Sequence, residues 1–453
     1  NTLRAKHPSF IYDNFWLRPE NNNLKIGYEF RIEPDISFTP EIVIENISQP
    51  RLQTIPRQVL NNLAFHLGLM EIPSYWKATC SPQIIIKPGS LNQSQIQWWH
   101  SLIINGLGQF FYTNQIDFQQ PNFLEITTTP NNTWPKYEEK LDPQKILVPV
   151  GGGKDSIVTL EILKKAQKTI SCLSLNPTKA ALEIIKLAGC QNPIIVRRQI
   201  DDNLLRLNQK DYFNGHTPFT AYLAFLSVAC AVLFNYGKVA ISNERSANEG
   251  NLIWSGQEIN HQYSKTFEFE QAFDSYAKEY LTSDIHYFSF LQPLWEIQIA
   301  KLLAKYPKYF SAFKSCNKNQ KTDSWCNDCP KCLSVFILLS PFLRKEDLAK
   351  IFGENLFEKE SLLPTLKELL GETGGKPFEC IGTREETLVA LYLALEKRKN
   401  SKSQLPLLLR FFQEEVLPKH QNLAQESQEL LNSWGQDKNL PEGLGQILKN
   451  EIV

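Results

Sequence analysis

Hydrophobic and polar positions along this chain change their rhythm near residue 144. Before it, short alternating runs predict strands at Lys25–Ile32, Glu41–Ile44 and Gln83–Ile86. Helical spacing covers Pro56–Leu67 and Gln95–Tyr112, and polar, Pro-rich Thr127–Pro143 reads as a linker. After it, apolar runs at Ile146–Val150, Thr169–Leu175, Pro193–Val196 and Lys238–Ser242 alternate with helical patterns at Ser156–Ala166, Lys179–Ala188 and Phe219–Asn235. Strand–helix alternation of this kind predicts an α/β fold, with a parallel sheet and helices on both faces. From about 345 onward the pattern is mostly helical and charged. The expected organisation is an α+β N-terminal domain (1–143), an α/β domain (144–345) and a helical C-terminal region (346–453).

Composition narrows the class. The 453 residues carry 48 basic and 48 acidic side chains, so no basic footprint points to nucleic acid. Phe219–Phe234 is the most apolar stretch, yet it is shorter than the roughly 20 residues a membrane span needs, and Thr220, Tyr222 and Ser227 interrupt it. A buried helix is expected there, and no membrane association. No apolar leader pattern is visible at Asn1–Pro8, so the expected compartment is the cytoplasm. The pattern leaves the oligomeric state open.

The strand expected at Ile146–Val150 runs into Gly151-Gly-Gly-Lys-Asp-Ser156 and then into an amphipathic helix. Glycines at such a turn let backbone N–H groups close on an anion, and the helix adds the positive end of its dipole. Lys154 supplies charge and Ser156 a hydroxyl. Asp155 makes chemical sense if a divalent cation such as Mg²⁺ accompanies the phosphates. The run lacks the Gly-x-x-x-x-Gly-Lys-Ser/Thr order of a Walker loop.

Nine cysteines change the picture further, because four of them, Cys316, Cys326, Cys329 and Cys332, are spaced C-x9-C-x2-C-x2-C. Four closely spaced thiolates suit a closed tetrahedral zinc, with an iron–sulfur cluster as the alternative. Cys80, Cys172, Cys190 and Cys230 read as small core residues. Reactive groups crowd three more segments. Asn214–Pro218 contains His216. Ser242–Asn251 contains Asn243, Glu244 and Arg245. Ser255–Lys265 contains Glu258, His261 and Lys265. Arg245 and Lys265 suit a carboxylate or phosphate, and the histidines suit proton transfer. A Gly-rich segment, Gly371–Thr383, brings Cys380.

The order of these segments resembles the ATP pyrophosphatase superfamily, whose pyrophosphate loop usually reads Ser-Gly-Gly-x-Asp-Ser. A fuller resemblance is to the UDP-N-acetylmuramoyl-L-alanyl-L-glutamate epimerase family. Ser74–Ala78, Gly106–Asn114, Val150–Ser156, Ser242–Asn251, Gly256–Lys265, Trp325–Cys332 and Pro377–Thr383 carry it, from about 74 to 385. The resemblance implies a pyrophosphatase-loop fold and ATP-driven inversion of a terminal L-Glu to D-Glu on a nucleotide-linked muramoyl dipeptide, in peptidoglycan precursor synthesis. AMP and pyrophosphate would be released. Gly151–Ser156 would grip ATP with Mg²⁺ near Asp155. Lys154 would stabilise adenylation, and Arg245 or Lys265 would position the anionic substrate with Asn243, Glu244 and Glu258. His216, His261 or Cys380 would move the α-proton. A carboxylate-adenylating ligase or amidase, or an enzyme like the queuosine-precursor nitrile synthase, is the alternative.

Overall fold

The computed structural model describes residues 2–130, 133–400 and 404–452. Its centre is one eleven-stranded mixed sheet, mostly parallel, in the order β13-β10-β7-β8-β9-β4-β2-β1-β5-β6, with β3 pairing on β2. The strands are β1 Ser9–Glu20, β2 Asn23–Ile32, β3 Ile36–Phe38, β4 Glu41–Ile44, β5 Gln83–Ile86, β6 Glu125–Thr128, β7 Lys145–Pro149, β8 Thr169–Leu175, β9 Ile194–Gln199, β10 Lys238–Glu244 and β13 His286–Leu291. A separate hairpin joins β11 Leu252–Trp254 to β12 Gln257–Ile259. Helices that matter for the site are α1 Arg57–Trp76, α2 Lys154–Lys165, α3 Lys179–Ala188, α4 Phe219–Phe234, α5 Glu296–Leu303, α6 Pro330–Leu339 and α7 Arg384–Glu396.

Strand periodicity explains why both faces are covered. In β7, Ile146 and Val148 enter the core that contains Ile157 and Leu160 of α2, whereas Leu147 enters the core that contains Phe225 and Val228 of α4. Ala240 of β10 sides with the first core, Val239 and Ile241 with the second. Successive side chains point to opposite faces, so a strand buried on both sides reads as a continuous apolar run. The apolar stretch Phe219–Phe234 is accordingly a buried core helix. Among the described residues no helix is long and apolar enough to cross a membrane.

Several expectations need correction. The sheet does not stop at residue 144: β4 pairs antiparallel with β9, from Glu41↔Gln199 to Ile44↔Val196. The stretch read as a linker is partly structural, since Glu125–Thr128 is a strand, Tyr137 bridges to Thr282 and Leu141 is buried; residues 131–132 lie outside the described ones. Cys172 and Cys190 are a disulfide, with Cα atoms 6.2 Å apart, and not separate core thiols. Strand β1 was hidden because its register shifts between Tyr12 and Asn14, and a bulge breaks the period-two pattern.

The two parts of the sheet are also clamped from the side. Arg198 of β9 donates to both carboxylate oxygens of Glu71 in α1, at 2.7 and 2.6 Å, and to Ser74 at 2.9 Å. Its guanidinium lies 4.6 Å from the centre of the Tyr222 ring. Removing one partner of a buried pair strands the other charge, which costs about 3–5 kcal/mol. Glu71→Ala is therefore expected to destabilise the protein by that amount in denaturant unfolding, whereas Glu45→Ala, in an exposed pair with Arg197, should change it by less than about 1 kcal/mol.

Candidate functional site

The loop after β7 leads directly into α2. Gly152 has φ +101°, a conformation that L side chains rarely adopt, and a Cβ there would come within 3.3 Å of Ala180 and the Ala181 backbone. Gly153 is the N-cap of α2 and offers no side-chain cap, so the first N–H groups of that helix are not capped by a side chain at that position. Gly151 and Gly153 border a cavity of about 320 Å³. Asp155, Lys265, Lys314, Lys331 and Cys380 also line it. Thr178, the N-cap of α3, is on its wall too, so two helix N-termini meet there. The cavity lies beyond the carboxyl ends of β7 and β8, where α/β sheets bind their ligands.

Beneath the cavity is a buried charge network. Lys154 Nζ lies 2.5 Å from Asp155 Oδ1 and 2.8 Å from Glu296 Oε1. Lys331 reaches the same Glu296 oxygen at 3.5 Å and donates to the Cys380 carbonyl. Lys265 is 3.7 Å from Glu244. Burial opposes charge on Lys154, but Asp155, Glu296 and Glu244 outweigh it and raise its pKa. Burial opposes charge on Lys265 as well, and Cys380, Glu244, Asp155 and Glu296 together keep it cationic. Glu296 stays ionised despite burial because Lys154 and Lys331 flank it. Lys154, expected to reach the ligand, is instead turned beneath the loop. Ser156 donates to the Gly153 carbonyl at 3.2 Å and braces the turn.

Cys380 and His261 come from segments 119 residues apart, yet Sγ and Nε2 are 3.8 Å apart. Asn251 sets the state of the imidazole. Its Nδ2 donates to the carbonyls of Lys376, at 3.3 Å, and Pro377, at 2.9 Å, so its Oδ1 is the acceptor facing His261 Nδ1 at 2.9 Å. Nδ1 therefore carries the hydrogen and Nε2 presents a lone pair to the thiol. Burial lowers the His261 pKa to about 2, aided by His216, Lys265, Lys376 and Lys331. His216 packs edge-on against it, with ring centroids 5.7 Å apart, and is lowered to about 4 by burial and by Lys77.

Other expected residues lie elsewhere. Glu258 is exposed on the β11–β12 hairpin and accepts the Gly250 N–H at 3.1 Å. Asn243 is buried and donates to Ser289 at 3.1 Å. Arg245 faces a neighbouring cavity. Residues absent from the expected set are Glu296, Lys331, Lys314 and Asn251. Lys331 lies inside the quoted Trp325–Cys332 segment and Asn251 closes Ser242–Asn251, so both stood in view, while nothing in the pattern showed that Lys314 follows the loop in space.

The four cysteine sulfurs Cys316, Cys326, Cys329 and Cys332 all lie within 4.8 Å of one another. A tetrahedron with metal–sulfur bonds of about 2.3 Å has edges of about 3.8 Å, and two of the pairs are at 3.5 and 3.7 Å. The four sulfurs could together hold one metal ion, and Cys316 also borders the cavity.

In comparison with known proteins, residues 1–290 match the family model described as MurL N-terminal domain, and residues 312–427 the MurL C-terminal domain. The chain is 39% identical over 330 residues to the UDP-N-acetyl-alpha-D-muramoyl-L-alanyl-L-glutamate epimerase of a Micromonospora species, covering 72% of each chain. It is 38% identical over 356 residues to the epimerase of the same name from Salinispora tropica, covering 77% of this chain and 76% of the other. A third, from Xanthomonas oryzae pv. oryzae, is 34% identical over 335 residues, covering 72% of each.

The two histidines set a pH signature. Unfolded, each takes a proton near 6.5, whereas folded they stay neutral down to about 4 and about 2. Their neutral burial costs nothing above the unfolded value and subtracts stability as pH falls below it. Glu386, whose carboxyl is raised to about 7, acts in the opposite sense over the same range, so the difference between proteins is the readout: between pH 7 and pH 5 the melting temperature of a His216→Gln/His261→Gln double variant should rise relative to that of wild type.

Proposed function

The chain belongs to the UDP-N-acetyl-alpha-D-muramoyl-L-alanyl-L-glutamate epimerase family, and from that premise we propose that it inverts the terminal glutamate of that nucleotide-linked dipeptide at the expense of ATP. The observation that carries the reading is the meeting of two chemistries in one cavity. The loop Gly151–Gly153 suits a polyphosphate, and Cys380 with His261 suits movement of a proton at carbon.

Removing the α-proton beside a free carboxylate would build a second negative charge next to the first. Attack of that carboxylate on the α-phosphorus of ATP, with release of pyrophosphate, gives a mixed anhydride and removes the obstacle. The uncapped N-terminus of α2, with Lys265 and Lys314, faces the charge that develops. A magnesium ion would neutralise the phosphates, and Asp155, one-quarter exposed on the cavity wall, is the residue placed to hold it. Lys154 keeps Asp155 and the loop in position from below. Cys380, as the thiolate left once its own proton has passed to solvent, then takes the α-proton. His261 Nε2 faces its sulfur, and Lys265 supplies positive charge beside it. Reprotonation on the other face inverts the centre, and water cleaves the anhydride to AMP and the D-Glu product. The four cysteines would hold zinc in a closed structural site.

Two expected outcomes follow. In deuterated water with ATP, Mg²⁺ and the L-Glu muramoyl dipeptide, wild type should form AMP and carry deuterium at the glutamate α-carbon. Cys380→Ala should still form AMP while α-deuteration falls at least a hundredfold, and Asp155→Asn should lose both. Equal α-exchange in Cys380→Ala would remove the thiol from the mechanism. Elemental analysis of untagged protein should find about one zinc per chain. Cys329→Ser should lower the melting temperature, and finding iron instead would overturn the zinc assignment.

A further inference from the structure

A second cavity, about 670 Å³, sits one strand further along the same edge of the sheet. Its floor comes from the residues that directly follow two strands, Arg245 after β10 and Gln292 after β13. Trp295 and Trp434 form parts of its walls. It stands back to back with the loop cavity. Glu244 and Glu296 contact the buried lysines, while their chain neighbours Arg245 and Trp295 face the second cavity.

The polar groups here are unmet. Gln292 is 3% exposed and its Oε1 has no hydrogen-bond partner. Arg245 stacks on Trp295, 4.2 Å from the ring centre, with its Nη1 shielded and unpaired. Buried polar groups are ordinarily satisfied, so the unpaired Gln292 Oε1 and Arg245 Nη1 on the lining of this cavity point to a ligand. The segment carrying Trp434 is held in place. Gln298 donates to the carbonyls of Leu431 and Ser433 at 3.1 and 3.0 Å, and Gly435 donates to Pro293 at 2.9 Å. A Cβ at Gly435 would come 3.0 Å from Arg245 Cδ, so glycine is what lets this segment close over the guanidinium. The acidic lining residues are otherwise engaged, Glu249 with Lys376 at 3.6 Å and Glu268 with the Tyr263 hydroxyl at 3.4 Å.

We propose that this cavity binds the uridine diphosphate end of the substrate. The inference rests on the epimerase reading for the identity of the substrate. The pyrimidine stacks against the indoles, which every base permits. Its imide N–H donates to Gln292 Oε1, a contact that adenine cannot supply from the corresponding ring position. Arg245 meets the diphosphate. The dipeptide then extends along the strand ends toward Cys380.

The test titrates the full-length protein with UDP, with 3-methyl-UDP as the control, by calorimetry and tryptophan fluorescence. UDP should bind and quench. Gln292→Leu should weaken UDP at least tenfold and erase the preference of wild type for UDP over its 3-methyl analogue, which lacks the imide hydrogen. Trp434→Ala should weaken UDP likewise, with Trp434→Phe restoring most of it. In turnover both variants should raise KM for the muramoyl dipeptide with little change in kcat or in KM for ATP. Melting temperatures check that the variants fold. Unchanged UDP affinity in Gln292→Leu and Trp434→Ala, or discrimination against the methyl analogue that Gln292→Leu leaves intact, would overturn the assignment. Alpha-proton exchange by wild type separates the two ideas. UDP binding dependent on Gln292 without exchange would sink the epimerase reading alone, and exchange with unaltered variants would sink this pocket alone.

Discussion

The buried carboxylate of Glu296 is the constraint on which the site depends. It is 1% exposed and lies within 3.5 Å of two lysine ammonium groups, Lys154 at the start of the loop helix and Lys331 inside the cysteine knuckle. Burial works against charge on Lys154, and the carboxylates beside it work the other way and prevail. Glu386 of α7 lies close by. Burial, and then Glu296, push its carboxyl up to about 7. It accepts the N–H groups of Ile297 and Thr383 at 2.9 and 2.8 Å, which joins the start of α5 to the end of the Cys380 segment. One carboxylate thus connects four separate stretches of chain: the loop, α5, the knuckle and, through Lys331, the Cys380 backbone.

How much of this the sequence disclosed depends on the distance over which each feature is encoded. Glu41–Ile44, Gln83–Ile86, Thr169–Leu175 and Lys179–Ala188 were legible residue for residue, because local periodicity and turn residues define them. The loop and the cysteine quartet were legible because short spacing carries their chemistry. Strand β13 was not, since His-Tyr-Phe-Ser-Phe-Leu is buried on both faces and shows no alternation. Helix α1 was read short. Past Asn62 it is buried on every side, and Pro73 lies within it. The pairing of β4 with β9 depends on contacts some 150 residues apart, which no local pattern records.

The candidate site divides the same way. Lys265, His261 and Cys380 could be nominated by residue type. Their convergence, and the departure of Glu258 and Arg245 from it, are properties of the tertiary structure. Lys154 is the instructive case. Its place in the motif suggested contact with ligand, yet the carboxylates beneath it claim its ammonium. The knuckle has a comparable double aspect, since Cys316 belongs both to the sulfur cluster and to the cavity wall. A site that folds around metal would thereby shape part of that cavity wall.

Asn251 has a consequence for how the molecule comes into being. Its amide binds His261 on one side and the backbone at Lys376 and Pro377 on the other. The Gly151–Gly153 loop emerges during synthesis more than two hundred residues before that backbone does. A nascent chain can therefore complete the sheet and its Gly-rich turn while the imidazole still lacks its thiol neighbour. Only when Lys376 and Pro377 have been delivered can Asn251 bind that backbone, so a polypeptide halted before them would hold the Gly-rich loop with no Cys380 opposite it.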